Sequence, residues 1–257
     1  MWRRVKIIIK DMEQLVVIHN QGQKMFGNLY LPQEAAPCVL ISHGLESSKD
    51  GDKWLVLSPR LYDAGFACLR FSYRGCGEGE EKSEGEFEDT TLTGRISDYK
   101  AAIAFLHQAG IDNTRLGVIG SSFGGMVALA ASDDRIRAMI TLATPFSFPS
   151  SSEPGLKHSK DKDYFELKSG KRLRVGFFED LTKYSIGDEV KKIHCPLLII
   201  HGTMDDVVPV EHAHQLYRHA NEPKRLEIIE GANHGFDKPE HLETVINLSI
   251  EWLKRYL

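Results

Sequence analysis

The feature that most constrains the fold is a series of short apolar segments that alternate with helix-like segments. The apolar segments lie at 38–44, 66–73, 116–120, 136–143, 196–202 and 224–232, and the helix-like segments lie near 52–64, 94–109, 124–132, 211–220 and 239–256. Continuously apolar strands are typical of sheets that are buried on both faces, and intervening helices favour parallel strands. The pattern therefore predicts an α/β fold with a mostly parallel sheet between two layers of helices.

The start of the chain departs from this pattern. Residues 5–32 have the character of antiparallel strands, which we expect to form a hairpin at one edge of the sheet. The opening MWRRVKIIIKDMEQLVV begins with basic residues but has too few apolar residues in a row before Lys10 and Asp11 for the core of a signal peptide, so we interpret it as a first strand. We therefore expect a cytoplasmic protein.

Residues 145–190 interrupt the alternation. They are rich in Ser, Pro and Lys and then alternate around Ser169-Gly170 as a small hairpin would. Because structureless loops of this length are uncommon in compact domains, we interpret the segment as a cap or lid inserted over the sheet rather than as a long surface connection. The length suits one α/β domain, and we treat residues 1–257 as a single domain.

The composition argues against several classes of partner. The formal net charge is −4, and no basic block is long enough to follow a phosphate backbone. No apolar run approaches the roughly 20 residues that span a bilayer. We therefore expect neither a nucleic acid nor a membrane as partner. The cysteines form no Cys-x-x-Cys pair and are interpreted as reduced packing residues, namely Cys38, Cys68, Cys76 and Cys195.

The stretch RLGVIGSSFGGMVALAAS, residues 115–132, joins a strand-like run to an Ala-rich helix and leaves only a few residues for the turn. A turn this sharp needs small residues two positions before and after its apex, because strand and helix crowd each other there. Gly120 and Gly124 meet this requirement when Ser122 is the apex. An apex at Ser121 would place isoleucine and phenylalanine at the same two positions. The register therefore selects Ser122, in the Gly-x-Ser-x-Gly pattern that lifts a hydroxyl clear of a sheet.

A serine hydroxyl is a poor nucleophile until a base accepts its proton, so Ser122 requires a histidine and an acid that orients it. In open parallel sheets, such side chains lie beyond the carboxyl ends of the strands. Asp205 and Asp206 follow the strand-like run PLLIIHG, and His234 follows KRLEIIEG. Serine, then acid, then histidine is the order expected of this arrangement.

Four motifs in this order resemble those of α/β-hydrolase-fold enzymes over essentially the full length of the chain. ISHGL (41–45), GSSFGG (120–125), GTMDDVVP (202–209) and GANHGF (231–236) are similar to the family's oxyanion loop, nucleophile elbow, acid loop and histidine loop. FSYRGCGEGE and the later GEFEDTTLTGRISDYKAAIAFL resemble small carboxylesterases of the cinnamoyl and feruloyl type. The resemblance implies the α/β-hydrolase fold, with about eight strands, and a serine carboxylesterase that acts on small acyl or aromatic-acyl esters.

The resemblance also implies roles for individual residues. Ser122 would attack an ester carbonyl, and His234 would accept its proton and later protonate the departing alcohol. Asp205, which matches the acid in Gly-x-x-Asp-x-x-Val-Pro, would orient the histidine. The backbone N–H groups of Leu45 and Phe123 would form the oxyanion hole.

Three further residues are placed at the substrate-binding surface: His43, Gly44 and Ser121. His43 is expected to brace the oxyanion loop, and Gly44 is small enough to let that loop approach a substrate. Ser121 is expected to form a local hydrogen bond beside the turn, and His201 is expected to be structural.

Several alternatives stay open. Asp206 is a second candidate for the acid, although its spacing to Val208-Pro209 fits the motif less well. A monoacylglycerol lipase or a small serine peptidase would use the same residues, and the absence of a propeller-sized N-terminal domain disfavours the peptidase. A non-catalytic binding module is the remaining alternative, because fold does not determine function.

No cofactor or metal is expected. His212 and His214 face different sides of their predicted helix, and they and His219 form no His-x-x-x-His pair. The expected partner is a small-molecule ester substrate, and a homodimer stays open.

Overall fold

The computed structural model describes residues 12–109, 111–148, 157–158 and 163–257. Its strands are β1 (Glu13–Asn20), β2 (Gln23–Tyr30), β3 (Pro37–Ser42), β4 (Ala67–Phe71), β5 (Asp112–Ser121), β6 (Ile136–Leu142), β7 (Lys157–His158), β8 (Tyr164–Glu166), β9 (Arg172–Arg174), β10 (Leu197–Gly202) and β11 (Lys224–Ile229). Its α-helices are α1 (Asp52–Asp63), α2 (Leu92–Gln108), α3 (Phe123–Ala131), α4 (Gly176–Leu181), α5 (Ile186–Glu189), α6 (Glu211–His219) and α7 (Pro239–Tyr256). Of the first strand predicted at the start of the chain, residues 1–11 lie outside the described residues, and residues 13–17 belong to β1.

The main sheet has eight strands in the order β1-β2-β4-β3-β5-β6-β10-β11. From β4 to β11 neighbouring strands are parallel, whereas β2 pairs antiparallel with both β1 and β4. Helices connect the parallel strands, with α1, α2, α3 and α6 each lying between two consecutive strands of the sheet. The predicted α/β-hydrolase fold and the predicted hairpin at one edge are confirmed.

Alternate side chains of β3 enter two separate cores. Cys38 and Leu40 pack into a core that includes residues of α2, α3 and α6, while Val39 and Ile41 pack into one that includes residues of α1 and α7. Burial on both faces stabilises the sheet by about 25 cal/mol for each Å² of apolar surface removed from water. This double burial explains why the strands appear in the sequence as continuous apolar runs.

Residues 145–190 carry a second, smaller sheet. β7, β8 and β9 pair antiparallel, and the predicted hairpin between β8 and β9 turns at Gly170, whose φ is +84°. Phe148 and Phe177 pack on Phe123, with ring centroids 5.9 and 5.5 Å from it. This segment therefore packs aromatic side chains against the first residue of α3.

The cysteines are packing residues. All four cysteines are free and three are buried, as predicted for packing residues. Burial raises the pKa of the Cys68 thiol to about 12, so this group stays neutral.

None of the helices in the described residues has the length and apolar character that crossing a bilayer requires.

Candidate active site

The turn between β5 and α3 holds its apex residue in a strained conformation. Ser122 has φ +53° and ψ −124°, and its N–H donates a hydrogen bond of 2.8 Å to the carbonyl of Leu142 on β6. Such a conformation costs a non-glycine residue on the order of 1–3 kcal/mol and persists only where the surroundings hold it. The apex of the turn is therefore Ser122, as the spacing of the glycines predicts, and not Ser121.

The two flanking glycines are required by close approach of the backbone. A Cβ at Gly124 would lie 2.1 Å from the carbonyl oxygen of Ser42, at the end of β3. A Cβ at Gly120 would lie 2.6 Å from the Cα of Gly125 in α3. Both separations are far below van der Waals contact, so no side chain fits at either position.

We expect Gly124→Ala to lower the free energy of unfolding by about 3 kcal/mol, because strand or helix must shift to admit the methyl group. Urea unfolding followed by circular dichroism measures this loss. Gly176→Ala is the matched control, since an added Cβ there meets nothing within 4 Å, and it should unfold like the wild type. Equal stability of the two variants would contradict the close-contact role of Gly124.

Asp205 and His234 meet across the loops that follow β10 and β11. The Nδ1 atom of His234 lies 2.8 Å from Oδ2 and 3.0 Å from Oδ1 of Asp205. Because Nδ1–H donates to this carboxylate, the neutral ring has its free lone pair on Nε2. The Asp205 side chain is fully buried, whereas the ring is partly exposed. Asp206, the alternative acid, is exposed. The histidine therefore pairs with Asp205, the acid that the motif selects.

Asp205 is held by several donors besides His234. The N–H groups of Val207 and Val208 donate to Oδ1 at 2.9 and 2.8 Å, and Nε2 of His201 lies 3.2 Å from Oδ2. Burial alone would raise the pKa of Asp205, but hydrogen bonds from the two histidines and from Val208 hold it well below its usual range. The carboxylate is therefore charged and fixed in direction, which suits it to stabilise an imidazolium.

The contact from His201 is one that sequence reasoning missed. Its ring is fully buried, and its Nε2 also donates to the carbonyl of Val208 at 2.8 Å. A sequence signal for this role exists in the position of His201 at the end of β10, four residues before Asp205. The expected structural role is thus a specific one: the ring supports the acid loop.

Two backbone N–H groups, those of Leu45 and Phe123, are the predicted donors of the oxyanion hole. Among the hydrogen bonds of the described residues, neither the N–H of Leu45 nor that of Phe123 donates to another group. Gly44 lies against the serine, since a Cβ added to it would meet the Cβ of Ser122 at 3.4 Å. The N–H of Phe123 lies at the N-terminus of α3, whose partial positive charge favours an anion, and the N–H of Leu45 follows the glycine that lies against the serine.

His43 braces the loop that carries Leu45. Nδ1 of His43 donates to the carbonyl of Gly44 at 2.7 Å, and Nε2 accepts from the N–H of Tyr73 at 3.1 Å. Burial, together with the charge of Arg95, lowers the pKa of His43 to about 3, so the ring is neutral. This arrangement matches the expected bracing role. The expected contact with substrate does not fit, because the side chain is fully buried.

The side chain of Ser121 lies in a different setting from the one predicted. It is 3 % exposed, and its hydroxyl accepts a hydrogen bond of 3.0 Å from Nζ of Lys53 on α1. The expected local hydrogen bond and substrate contact are therefore both corrected: the residue faces the interior and meets a distant helix. Burial lowers the pKa of Lys53 to about 8, although the carboxylates of Asp237 and Asp205 act to raise it. No sequence motif pointed to this lysine.

The three predicted catalytic side chains share one end of the sheet. Ser122 follows β5, Asp205 follows β10 and His234 follows β11, so all three lie at the carboxyl ends of parallel strands. No hydrogen bond of the described residues joins the Ser122 hydroxyl to the ring of His234. Catalytic hydrogen bonds of this kind often tighten only when substrate is bound.

Known proteins resemble this chain over nearly its full length. Est1E from Butyrivibrio proteoclasticus, in a structure with ferulic acid bound, is 26% identical with a TM-score of 0.84, covering 94% of this chain and 98% of that one. The esterase domain of a Rhodothermus marinus protein is 25% identical with a TM-score of 0.75, covering 95% and 98%. The "Putative esterase YitV" of Bacillus subtilis is 26% identical, covering 95% of this chain and 100% of its own.

A family match covers most of the chain as well. The prolyl oligopeptidase family matches residues 56–257, a range that contains the serine turn, the acid loop and the histidine loop. The structural likeness to esterases and the eight-stranded sheet agree with this match. The chain is therefore a serine hydrolase of the α/β-hydrolase superfamily and belongs to the prolyl oligopeptidase family.

Proposed function

We propose that this serine hydrolase cleaves small acyl or aromatic-acyl esters and that Ser122, His234 and Asp205 are its catalytic residues. The observation that carries the proposal is the strained turn at Ser122, with the Asp205–His234 pair at the same end of the sheet. The likeness to Est1E, whose structure holds ferulic acid, supports the aromatic acyl group.

The proposed reaction uses the free nitrogen of the histidine. Because Nδ1 of His234 donates to Asp205, Nε2 is available to accept the Ser122 proton as Oγ attacks the ester carbonyl. The oxyanion that forms takes up hydrogen bonds from the N–H groups of Leu45 and Phe123, each lowering the barrier by about 3 kcal/mol. His234 then protonates the leaving alcohol. In the second half of the reaction, water attacks the acyl group while His234 accepts its proton. His234 then returns a proton to Oγ of Ser122 as the acid product leaves.

Aromatic side chains that line one cavity of the described structure support a flat, apolar acyl group. A cavity of about 530 Å³ lies between α2, α3 and the insertion, and its lining includes Met126, Phe148, Phe178 and Tyr184. Phe148 also contacts the ring of Phe123, the residue after the proposed nucleophile. Phe148 therefore links the cavity to the serine turn, although Ser122 and His234 are not among the residues that line it.

A panel of esters with varied acyl groups tests the proposal. We expect hydrolysis of short-chain p-nitrophenyl esters and of methyl ferulate, with lower kcat/KM for long acyl chains. A fluorophosphonate probe should label the enzyme, and peptide mapping should place the label on Ser122. A maximum at long acyl chains would instead indicate a monoacylglycerol lipase. Absence of both hydrolysis and label would leave a binding role for the fold.

Peptide hydrolysis is the second candidate, because the matching family is that of prolyl oligopeptidases. The same residues could attack an amide, whose amine leaving group His234 would have to protonate. Prolyl and other aminoacyl anilides, compared with esters of matched acyl groups, separate the two activities. We expect the ester to be the better substrate, and a higher kcat/KM on the anilide would favour the peptidase.

A further inference from the structure

Arg95 is a buried arginine of α2 that lies against Gly44 and Leu45 of the oxyanion loop. Its side chain is 2 % exposed, and the ion pairs of the described residues do not include it. An uncompensated buried charge is costly, so other groups must offset this one. Carbonyl groups and aromatic rings are the available compensation.

The groups that offset this charge belong largely to the proposed oxyanion hole. Nη2 of the arginine donates to the carbonyl of Leu45 at 2.7 Å, and Nη1 donates to that of Gly44 at 3.2 Å. Nη2 also lies 3.3 Å from Sγ of Cys76. The guanidinium carbon is 4.8 Å from the ring centroid of Tyr73 and 5.3 Å from that of Phe123. One side chain thus contacts both residues whose N–H groups are proposed to bind the oxyanion.

The hydrogen bond to Gly44 has a consequence for the N–H of Leu45. The Gly44 carbonyl and the Leu45 N–H belong to one planar, trans peptide group and point in opposite directions. Whatever fixes the carbonyl therefore fixes the direction of the N–H. Nδ1 of His43 and, at 3.4 Å, the N–H of Ser47 donate to the same oxygen, and Arg95 adds a charged donor. A rotated peptide would remove one donor and turn a carbonyl toward the oxyanion.

We infer that Arg95 is a positioning residue of the oxyanion hole, which holds the peptide between Gly44 and Leu45 so that the Leu45 N–H faces the developing charge. The inference rests on the proposed function. The guanidinium acts through this peptide and through the ring of Phe123, not on the reacting atoms. Arg95 therefore stabilises the transition state, in which the carbonyl oxygen of the substrate is negatively charged. It does not stabilise the bound substrate, in which this oxygen is neutral.

Arg95→Met and Arg95→Lys test the inference with a p-nitrophenyl ester as substrate. We expect Arg95→Met to lower kcat by about 10²-fold with little change in KM, a loss comparable to that of one oxyanion donor. Binding of a trifluoromethyl ketone, which forms a charged tetrahedral adduct with the serine, should weaken by the same factor as kcat/KM. Arg95→Lys keeps the charge but lacks the fork that reaches both carbonyls, so we expect an intermediate loss.

Arg70→Met is the matched control. Arg70 is also buried, at 3 % exposure, but it pairs with the carboxylates of Glu13 and Asp50 instead of the oxyanion loop. Titration of active serines with the fluorophosphonate corrects each rate for the folded fraction. Corrected kcat and ketone affinity of Arg95→Met equal to those of the control would overturn the inference. Should Arg95→Met fail to fold, Arg95→Lys decides, and ketone affinity equal to the wild type would overturn it.

The proposed function and this inference fail in different ways. If the wild type neither hydrolyses the ester nor takes the label at Ser122, the proposed function is wrong. If the wild type is active and labelled while the Arg95 variants match their control, the inference alone is wrong.

Discussion

Ser122→Ala should lower kcat/KM for a p-nitrophenyl ester by about 10⁴- to 10⁶-fold. Alanine has no oxygen with which to form the acyl-enzyme, whereas the two proposed oxyanion donors remain in place. Any residual rate therefore reports the oxyanion hole and substrate binding alone. Release of p-nitrophenol by purified variant, with circular dichroism to show that the strained turn still folds, measures the effect.

Ser121→Ala is the matched control for this experiment, because it removes the same hydroxyl one residue earlier. Its partner is Nζ of Lys53, and the loss of that hydrogen bond costs about 1 kcal/mol of stability. We expect this variant to keep most of its activity. An inactive Ser121→Ala beside an active Ser122→Ala would show that the nucleophile is misassigned.

Asp205→Asn should lower kcat by about 10⁴-fold at neutral pH. The amide oxygen can still accept from the N–H groups of Val207 and Val208, but its NH₂ group is a donor and cannot accept from Nδ1–H of His234. The ring then favours the opposite tautomer, whose protonated Nε2 cannot take the serine proton. The imidazolium formed during the reaction also loses its counter-charge. Steady-state kinetics at pH 7 measures the loss.

Asp206→Asn makes the same chemical change at the next residue. Asp206 is exposed, so its replacement removes a solvated charge and leaves the carboxylate that faces the histidine. We expect activity close to that of the wild type. The acid assignment would be refuted by a large loss in Asp206→Asn together with an active Asp205→Asn.

Local patterns in the sequence predict most of the fold. The helix expected near 239–256 is α7, Pro239–Tyr256, and the strand expected at 196–202 is β10, Leu197–Gly202. Both depend on periodicity and on continuous apolar runs, which reflect burial on one or both faces. The serine turn is predictable for a steric reason at Gly120, where an added Cβ would clash with Gly125, only five residues further along the chain.

Long-range side-chain contacts are the part of the site that no local pattern predicts. The residues around Ser121 in the sequence do not indicate its hydrogen-bond partner, because Lys53 lies 68 positions away on another element. Likewise Arg95 sits on a helix whose apolar spacing predicts burial but does not indicate what its guanidinium meets. These contacts depend on which helix face packs against which loop, and that is settled only when the sheet is assembled.

The sequence by itself determined the layered architecture, the residue at the apex of the turn, and the serine, acid, histidine order. Each follows from interactions between near neighbours in the chain or from strand ends that share one edge. Tertiary structure alone decided that Lys53 meets Ser121, that His201 supports Asp205, and that a buried arginine holds the oxyanion loop. The physical reason is that a charge buried by folding must find compensation among groups that only the folded chain brings together.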